Sequence, residues 1–328
     1  MSKTFVIAEA GSNHNRNFEQ ALKLIDVAKE SGSDAVKFQT FSSKTVYNKK
    51  TPNFANYENI NDLVKSLELP REWQKDLKSY CDDIDIEFMS TPFDESAVQE
   101  LYDLGVKRFK IAGFESTDLR FVDMVSSTKL PLIISAGIGC NLEFIEKIIN
   151  TCHNQKNYDL TILHCNNAYP TPQEDINLET IKDIKDRYDV KVGLSDHTMN
   201  TLTPSLAVMV GATTIEKHFT ISRRLPGPDH PFAMEPNQLK EMVDNIRLTE
   251  LSLGRKQNIY TNSEENFKTA GRSIVAKTKI KKGDSFTSDN ITTIRPFLDG
   301  NIHASEWFDV LDNTSEKDYD EGDFINGK

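Results

Sequence analysis

Two histidines, His197 and His218, each stand three residues beyond a short run suited to a buried strand, Val192 to Leu194 and Thr213 to Ile215. If these runs are neighbouring parallel strands joined by the helical segment Thr201 to Gly211, both imidazoles emerge at one rim of one sheet. Two neutral rings there can share a divalent metal. A lone histidine in such a place more often satisfies loop backbone. The pair, with Ser195, Asp196, Glu216, Lys217 and Asp229 close in sequence, favours a site.

A regular alternation of strand-like and helix-like segments must position that site. Ahead of the two runs already named, strand candidates are Phe5 to Ala8, Ala35 to Phe38, Ile86 to Met89, Arg108 to Ile111, Leu132 to Ile134 and Leu160 to Leu163. Between them lie helical stretches. Phe18, Leu22, Ile25 and Ala28 precede a stop at Gly32, and Pro70 opens a helix bearing Trp73, Leu77 and Tyr80. Others run from Ser96 to Leu104, Leu119 to Ser126, Leu142 to Cys152 and Leu178 to Tyr188, and a last helix from Pro236 carries Leu239, Met242, Val243 and Ile246 on one face. Eight such units in about 250 residues predict an α/β fold closed as a (β/α)8 TIM barrel, with an open doubly wound sheet as the alternative. The stretch Thr40 to Leu69 is polar, poorly periodic and too long for an ordinary connection, as a loop covering a substrate would be.

Active sites of such barrels lie at the carboxyl ends of the strands, and here those ends are polar in every unit. They carry Glu9 with Asn13 and His14, Lys37 and Gln39, Ser90 and Thr91, Lys110 and Glu115, Ser135, Asn166 with Asn167 and Tyr169, Ser195 and His197, and His218. Any one of these is ordinary. Their convergence on one mouth, with two lysines, two glutamates and a histidine pair, is more than solvation of strand ends accounts for.

The composition narrows the class. The 328 residues include 39 basic and 50 acidic side chains, a net charge of −11, which repels nucleic acid and anionic membrane unless a basic patch is segregated, and none is apparent. No apolar stretch approaches the roughly 20 residues of a membrane span, and the N-terminus lacks the pattern of a secretion signal. The four cysteines, Cys81, Cys140, Cys152 and Cys165, have no C-x-x-C spacing and read as reduced thiols. The expectation is a soluble, cytoplasmic protein.

After Gly254 the pattern changes. The barrel is expected over residues 1–254, a polar aperiodic linker over 255–270, and a small β-rich module with a KKGD turn over 271–328. A module of that size is marginal alone and gains by docking. The end of the chain, SEKDYDEGDFINGK, is acidic.

The motifs IAEAGSNHN, VKFQTF, FMSTPFD, FKIAGFE, LHCNNAYPTP, GLSDHT, IEKHFT and PGPDH, followed by RSIVAKTKIKKGD, resemble the N-acetylneuraminate (sialic acid) synthase family with its C-terminal antifreeze-like (SAF) domain. The likeness spans nearly the whole chain in order. It implies condensation of phosphoenolpyruvate with N-acetylmannosamine or a related N-acylated hexosamine, and water, giving a nine-carbon 2-keto acid and phosphate. The alternative is a legionaminic or pseudaminic acid synthase using a 2,4-diacetamido-trideoxyhexose. By resemblance His197 and His218 are ligands of a divalent metal, Mn2+ first and Mg2+ second. Lys37, Gln39, Thr91, Lys110, Ser135, Asn167 and Ser195 match residues around phosphoenolpyruvate. Glu9, Tyr169 and Asp229 match those around the sugar, and Glu115 matches an acidic residue near the reacting centre. Arg295 matches an arginine that reaches the partner's sugar site in a domain-swapped homodimer.

Elementary chemistry is consistent with these roles. A carboxylate and a phosphate on one substrate call for the two lysines and neutral donors, and a metal would polarise the sugar aldehyde toward the enol carbon. Glu9 or Glu115 could then take the water proton, with Lys110 and His218 at the reacting groups. One departure stands out. Relatives carry a serine in K-I-G-S-G-E or K-I-A-S-F-E, where this chain has Gly113 between Ala112 and Phe114, so a hydroxyl donor is missing. A Schiff-base aldolase on Lys37 or Lys110 is the enzymatic rival, and a carbohydrate- or ice-binding protein the non-enzymatic one.

Overall fold

The computed structural model describes residues 3–51, 59–254 and 261–326, and the chain divides into two compact units, 1–254 and 255–328. In the first, strands β1 (Phe5–Gly11), β2 (Ala35–Thr40), β3 (Glu87–Pro92), β4 (Phe109–Ile111), β5 (Leu132–Ala136), β6 (Leu160–Cys165), β7 (Lys191–Asp196) and β8 (Thr214–His218) form one eight-stranded sheet. The order is β3-β2-β1-β8-β7-β6-β5-β4, with β1 parallel to both β2 and β8. That pairing excludes the open doubly wound alternative, in which the first and last strands would not meet. β4 packs beside β3 and closes the ring, although no ladder joins those two among the described residues.

Helices follow the strands in the order α1 (Phe18–Glu30), α2 (Gln74–Asp83), α3 (Glu95–Leu104), α4 (Leu119–Ser127), α5 (Leu142–Asn154), α6 (Glu179–Arg187), α7 (Thr203–Met209) and α8 (Pro236–Leu253). Their starts are written locally: Asn17, Asp94, Asp118 and Asn141 each accept a hydrogen bond from the first turn of α1, α3, α4 and α5. Gly105 ends α3 with φ +79°, a left-handed turn that glycine adopts at no steric cost. The stretch after β2 holds more structure than its weak periodicity predicts. Short helices span Ser43–Val46 and Ile60–Leu67, the latter capped by Asn59.

Two apolar layers follow from strand alternation. Outward residues such as Val6, Ala8, Val36, Phe38, Ile134 and Leu194 pack against the helices in one large cluster. Inward residues Ile7, Ala35, Met89, Ile133 and Leu163 fill the inside of the ring in a second. Gly193 leaves room for this filling, because a Cβ there would lie 2.6 Å from Leu163 Cδ2 and 2.2 Å from the Thr214 carbonyl. Truncating Leu163 to alanine would cost about 2–5 kcal/mol.

The second unit pairs β9 (Ser273–Ala276) antiparallel to β10 (Ile291–Ile294) and closes a small core of Ile274, Ala276, Ile280, Phe286, Ile291, Val310, Tyr319 and Ile325. Of the expected linker, 255–260 lie outside the described residues. Asn262–Ala270 form a 3-10 helix with exposed side chains rather than an aperiodic strand of chain. No helix among the described residues is long and apolar enough to cross a membrane.

Candidate active site

Two residues beyond the inner apolar layer, the same face of most strands turns polar. Ile7 leads to Glu9, Ala35 to Lys37, Met89 to Thr91, Ile133 to Ser135, Leu163 to Cys165, Gly193 to Ser195, and Thr214 to Glu216 and then His218. The strands run about two residues further than their apolar runs indicate, so most of these groups sit on rigid ladder rather than on loops.

The charges interlock. Lys37 Nζ lies 2.6 Å from Glu9 Oε2 and 3.7 Å from Glu216 Oε1, and donates to Thr91 Oγ1 at 2.9 Å. Lys110 Nζ lies 3.4 Å from the same Glu216 oxygen, which also accepts from Ser195 Oγ at 3.4 Å. Gln39 Nε2 donates to Glu9 Oε1 at 3.0 Å. The lining encloses about 40 Å3, with Ala112, Gly113, Asn167, Tyr169 and His197 completing it. Both lysines are 2% exposed, and among the described residues Glu216 Oε2 and Ser135 Oγ are buried without a hydrogen-bond partner. Unsatisfied buried groups cost about 1–3 kcal/mol each, a cost that a polar ligand would relieve.

Burial pushes the Glu9 carboxyl up to about 7 despite Lys37. Burial opposes the charge on Glu216 as well, but Lys110 and Lys37 outweigh it and hold that carboxyl at about 2. Burial lowers Lys110, whereas on Lys37 the two glutamates more than offset burial and raise it. The site therefore keeps one fixed anion between two cations and a second carboxyl poised near neutrality.

The histidines are held neutral. Burial, then the neighbouring ring of His218, lowers His197 to about 4, and burial with Lys37 lowers His218 to about 3. Their ring centroids are 5.5 Å apart. His197 Nδ1 donates to the Asn166 carbonyl at 2.6 Å, which leaves Nε2 with its lone pair bare. His218 Nδ1 is buried without a hydrogen-bond partner among the described residues. Below them Lys217 and Asp196, both named from the sequence as neighbours of the pair, form their own buried ion pair at 2.7 Å and tie β7 to β8 outside the cavity.

The described residues hold no group of three or more histidine, cysteine or acidic side chains arranged to grip a metal. Two neutral imidazoles with bare nitrogens nonetheless fit a labile divalent ion whose other positions go to water and substrate, as opposed to a closed structural zinc site.

The family model described as NeuB family matches residues 24–258. The chain belongs to the NeuB family. An N,N'-diacetyllegionaminic acid synthase of Legionella pneumophila is 40% identical over 305 residues, covering 89% of this chain and 85% of the relative. A pseudaminic acid synthase of Helicobacter pylori is 34% identical over 320 residues, covering 95% and 93%. The crystal structure of an N-acetylneuraminic acid synthetase from Leptospira borgpetersenii superposes with TM-score 0.75 at 30% identity, covering 81% of this chain and 90% of that one. As a NeuB-family protein the chain is an enzyme of the nonulosonic acid synthase type, a phosphoenolpyruvate-dependent C–C bond-forming transferase, as the motifs imply.

Within this NeuB-family barrel the residues expected at the site fall into three groups. Glu9, Lys37, Gln39, Lys110, Ser135, Asn167, Tyr169, Ser195, His197 and His218 line the central cavity, and Thr91 touches it through Lys37. Asp229 sits at its edge, accepting from Ser12 Oγ at 2.9 Å, and a Cβ on Gly11 (φ +52°) would come within 3.0 Å of it. Others stand apart. Ser90 faces away from the cavity and bonds Thr40 at 2.7 Å, because alternation turns it opposite to Thr91. Glu115 lies on a short 3-10 turn beyond β4 and lines an adjoining cavity. Arg295 belongs to the second unit, just after β10. Asn13 bonds the Phe219 carbonyl at 2.8 Å and His14 packs edge-on to Trp73, so both brace the mouth.

Glu216 is the central residue that motif reading left as a mere neighbour of His218. Strand alternation carries the signal, since Glu216 and His218 must share the inward face. Cys165 lines the cavity by the same rule, and burial pushes its thiol up to about 11, so it is a wall rather than a nucleophile.

Proposed function

We propose that this chain condenses phosphoenolpyruvate with an open-chain N-acylated hexosamine of the mannosamine type, and water, to give a 2-keto nonulosonic acid and phosphate. The observation that carries this reading is the pair of buried lysines sharing Glu216 directly beside two neutral histidines. Lys37 and Lys110 would bind the phosphate and carboxylate, with Thr91, Ser135, Ser195 and the Asn167 amide as neutral donors. Gln39 orients Glu9. His197 and His218 would hold a divalent metal, Mn2+ or Mg2+, which when bound supplies polarisation of the sugar aldehyde.

The enol carbon forms a bond to the aldehyde carbon as the carbonyl π pair passes to the aldehyde oxygen, which takes up a proton to become a hydroxyl, leaving positive charge at the carbon that bears the phosphate. Water adds to that carbon as Glu9 takes a proton, and the carbon–oxygen bond to phosphate then breaks, so phosphate departs with the bridging oxygen. Glu9 suits this role better than Glu115, because it lies inside the cavity against Lys37.

The sugar is N-acetylmannosamine or a 2,4-diacetamido-trideoxyhexose, the latter being the kind of substrate that a legionaminic or pseudaminic acid synthase would take. The second unit we read as an antifreeze-like (SAF) module whose Arg295 reaches a partner's mouth in a domain-swapped homodimer, and the setting as the cytoplasm, which supplies phosphoenolpyruvate. Assay of phosphate released from phosphoenolpyruvate with a panel of N-acylated hexosamines tests the reaction. Chelator should abolish turnover and Mn2+ restore it, while His218→Ala should resist rescue. Undiminished turnover in chelator would remove the histidines from the mechanism. Covalent trapping by borohydride would instead establish the Schiff-base alternative.

A further inference from the structure

The chain leaves β8 at His218 and returns at Met234, whose amide bonds the His218 carbonyl at 2.9 Å while its carbonyl accepts from the Thr220 amide at 2.8 Å. Arg223 clamps the base of this loop, donating to the Ala233 carbonyl at 2.8 Å and to Gln238 at 2.7 Å. On the returning arm Asp229 precedes a single 3-10 turn, His230–Phe232. Asp229 and His230 grip the segment after β1 at two places. Asp229 Oδ2 accepts from Ser12 Oγ at 2.9 Å, and three residues along that segment His230 Nε2 meets Asn15 Oδ1 at 3.2 Å.

His230 takes no part in lining the cavity and is fully buried. Burial lowers its pKa against the field of Asp229, so the ring is neutral. The Asn15 oxygen can only accept, which puts the ring proton on Nε2 and leaves Nδ1 to accept from the Thr220 hydroxyl at 2.6 Å. One nitrogen therefore holds the segment after β1 and the other the outgoing arm of the loop. The chain closes directly over the ring, since a Cβ on Gly227 (φ +140°) would lie 2.9 Å from His230 Cδ2 and 3.2 Å from Asn15 Oδ1. Asp229, by contrast, faces the site. A Cβ on Gly11 would stand 3.0 Å from its Oδ2, 3.4 Å from His218 Cε1 and 3.5 Å from Glu9 Oε1. Among the described residues only Ser12 bonds this carboxylate, and through Oδ2 alone, so Oδ1 is left for a hydroxyl or N–H of the sugar.

We infer that His230 is a positioning residue for Asp229: bonded to Asn15 on one side and Thr220 on the other, its imidazole fixes the turn so that the Asp229 carboxylate meets the sugar above Gly11. The inference rests on the synthase reading above and concerns the orientation of the sugar alone. A carboxylate on an untethered turn would have to be ordered at each binding event, and a misplacement of about 1 Å can cost on the order of 100-fold in rate. Asn15 suits its half of the bond, because it sits at φ +50°, a left-handed conformation that asparagine tolerates.

The test measures phosphate release by the full-length Mn2+-loaded enzyme with phosphoenolpyruvate and either N-acetylmannosamine or the 2,4-diacetamido-trideoxyhexose, whichever is turned over faster. His230→Leu fills the space without hydrogen bonds, whereas His230→Gln keeps an amide within reach of Asn15. The leucine variant should lower kcat/KM for the sugar at least tenfold with the KM for phosphoenolpyruvate within about twofold of wild type, and the glutamine variant should recover most of that loss. In an Asp229→Asn background His230→Leu should cost less than about twofold more, because a residue that acts through Asp229 then has nothing left to position. Asn15→Gly, which keeps the left-handed backbone and leaves the core filled, repeats the comparison with Asp229→Asn at a smaller loss of about threefold to tenfold. Equal losses for leucine and glutamine, additive losses in both double variants, or a matching rise in the KM for phosphoenolpyruvate would overturn the positioning role and leave the synthase reading intact. Absence of phosphate release by the wild-type chain with every sugar would overturn both.

Discussion

At the residue scale the barrel spends buried carboxylates in opposite ways. Glu216 is stabilised as an anion by two lysines, whereas for Glu115 burial outweighs the relief from its own backbone N–H and from Lys110, so its carboxyl rises to about 7. An unfolded chain would titrate it near 4.5. Between those two values the folded state holds the extra proton, so stability falls as pH rises through that window and the loss is complete above about 7. Glu115→Gln removes the liability. Its melting temperature should match wild type near pH 4.5 and exceed it increasingly up to pH 8, by about 5 °C for roughly 2 kcal/mol. Thermal melts of both proteins from pH 4.5 to 8 check this, and a constant difference across the range would mean that the carboxyl is not desolvated. Glu216→Gln makes the opposite kind of change. It leaves Lys37 and Lys110 without their shared anion, so phosphoenolpyruvate should still bind while turnover drops by 100-fold or more, as single-turnover kinetics would show.

At the scale of elements, the exits of β4, β5 and β6 are fitted around one amide. Asn167 Oδ1 accepts from the Ile138 backbone N–H at 2.9 Å and its Nδ2 donates to Tyr169 at 3.3 Å. A Cβ on Gly137 would lie 1.8 Å from that Oδ1, and one on Gly113 2.9 Å from it. A serine at the Gly113 position would therefore have to contend here with the Asn167 amide. Gly137→Ala should displace Asn167 and cut kcat/KM for phosphoenolpyruvate by at least 100-fold, with a smaller loss for Gly113→Ser. Steady-state assays with circular dichroism as a folding control decide the matter, and an active Gly137→Ala would show that Asn167 does not act.

The same elements show what a reader of the sequence can and cannot see. Apolar runs announce the strands, because the lower half of a barrel strand is buried on both faces. They fail to announce the upper two residues, where inward Glu9, Lys37 and Glu216 break the run although the ladder continues. Ser90 and Thr91 cannot both face the cavity, since alternation sends them to opposite sides, and the bond from Lys37 marks Thr91 as the inward one. The helices Ser43–Val46 and Ile60–Leu67 escape notice because one spans a single turn and the other two, too short for periodicity to register.

At the scale of the molecule, the proposed dimer makes a demand that single-chain mutations do not. If Arg295 serves the partner's barrel, Arg295→Ala and Lys110→Ala chains should each be inactive as homodimers, yet mixed dimers should recover about a quarter to a half of wild-type activity through the one intact site. Co-expression with two affinity tags, followed by assay of the doubly purified species, measures it. Verified mixed dimers without activity would confine each small unit to its own barrel or to no catalytic task.

The ring also has a joint. Seven ladders hold the eight strands, and β3 lies beside β4 without one among the described residues. The Glu87 amide bonds the Asp34 carbonyl and the Phe109 amide the Pro131 carbonyl, both away from that joint. By alternation the amides of Phe88, Ser90 and Lys110 turn toward it. Thr91 and Lys110, which hold one end of the proposed anion site, stand on opposite lips of this joint, where opening would break no ladder among the described residues. Deuterium uptake should therefore be faster at those three amides than along β7, and a bound anion clamped between the lips should slow it.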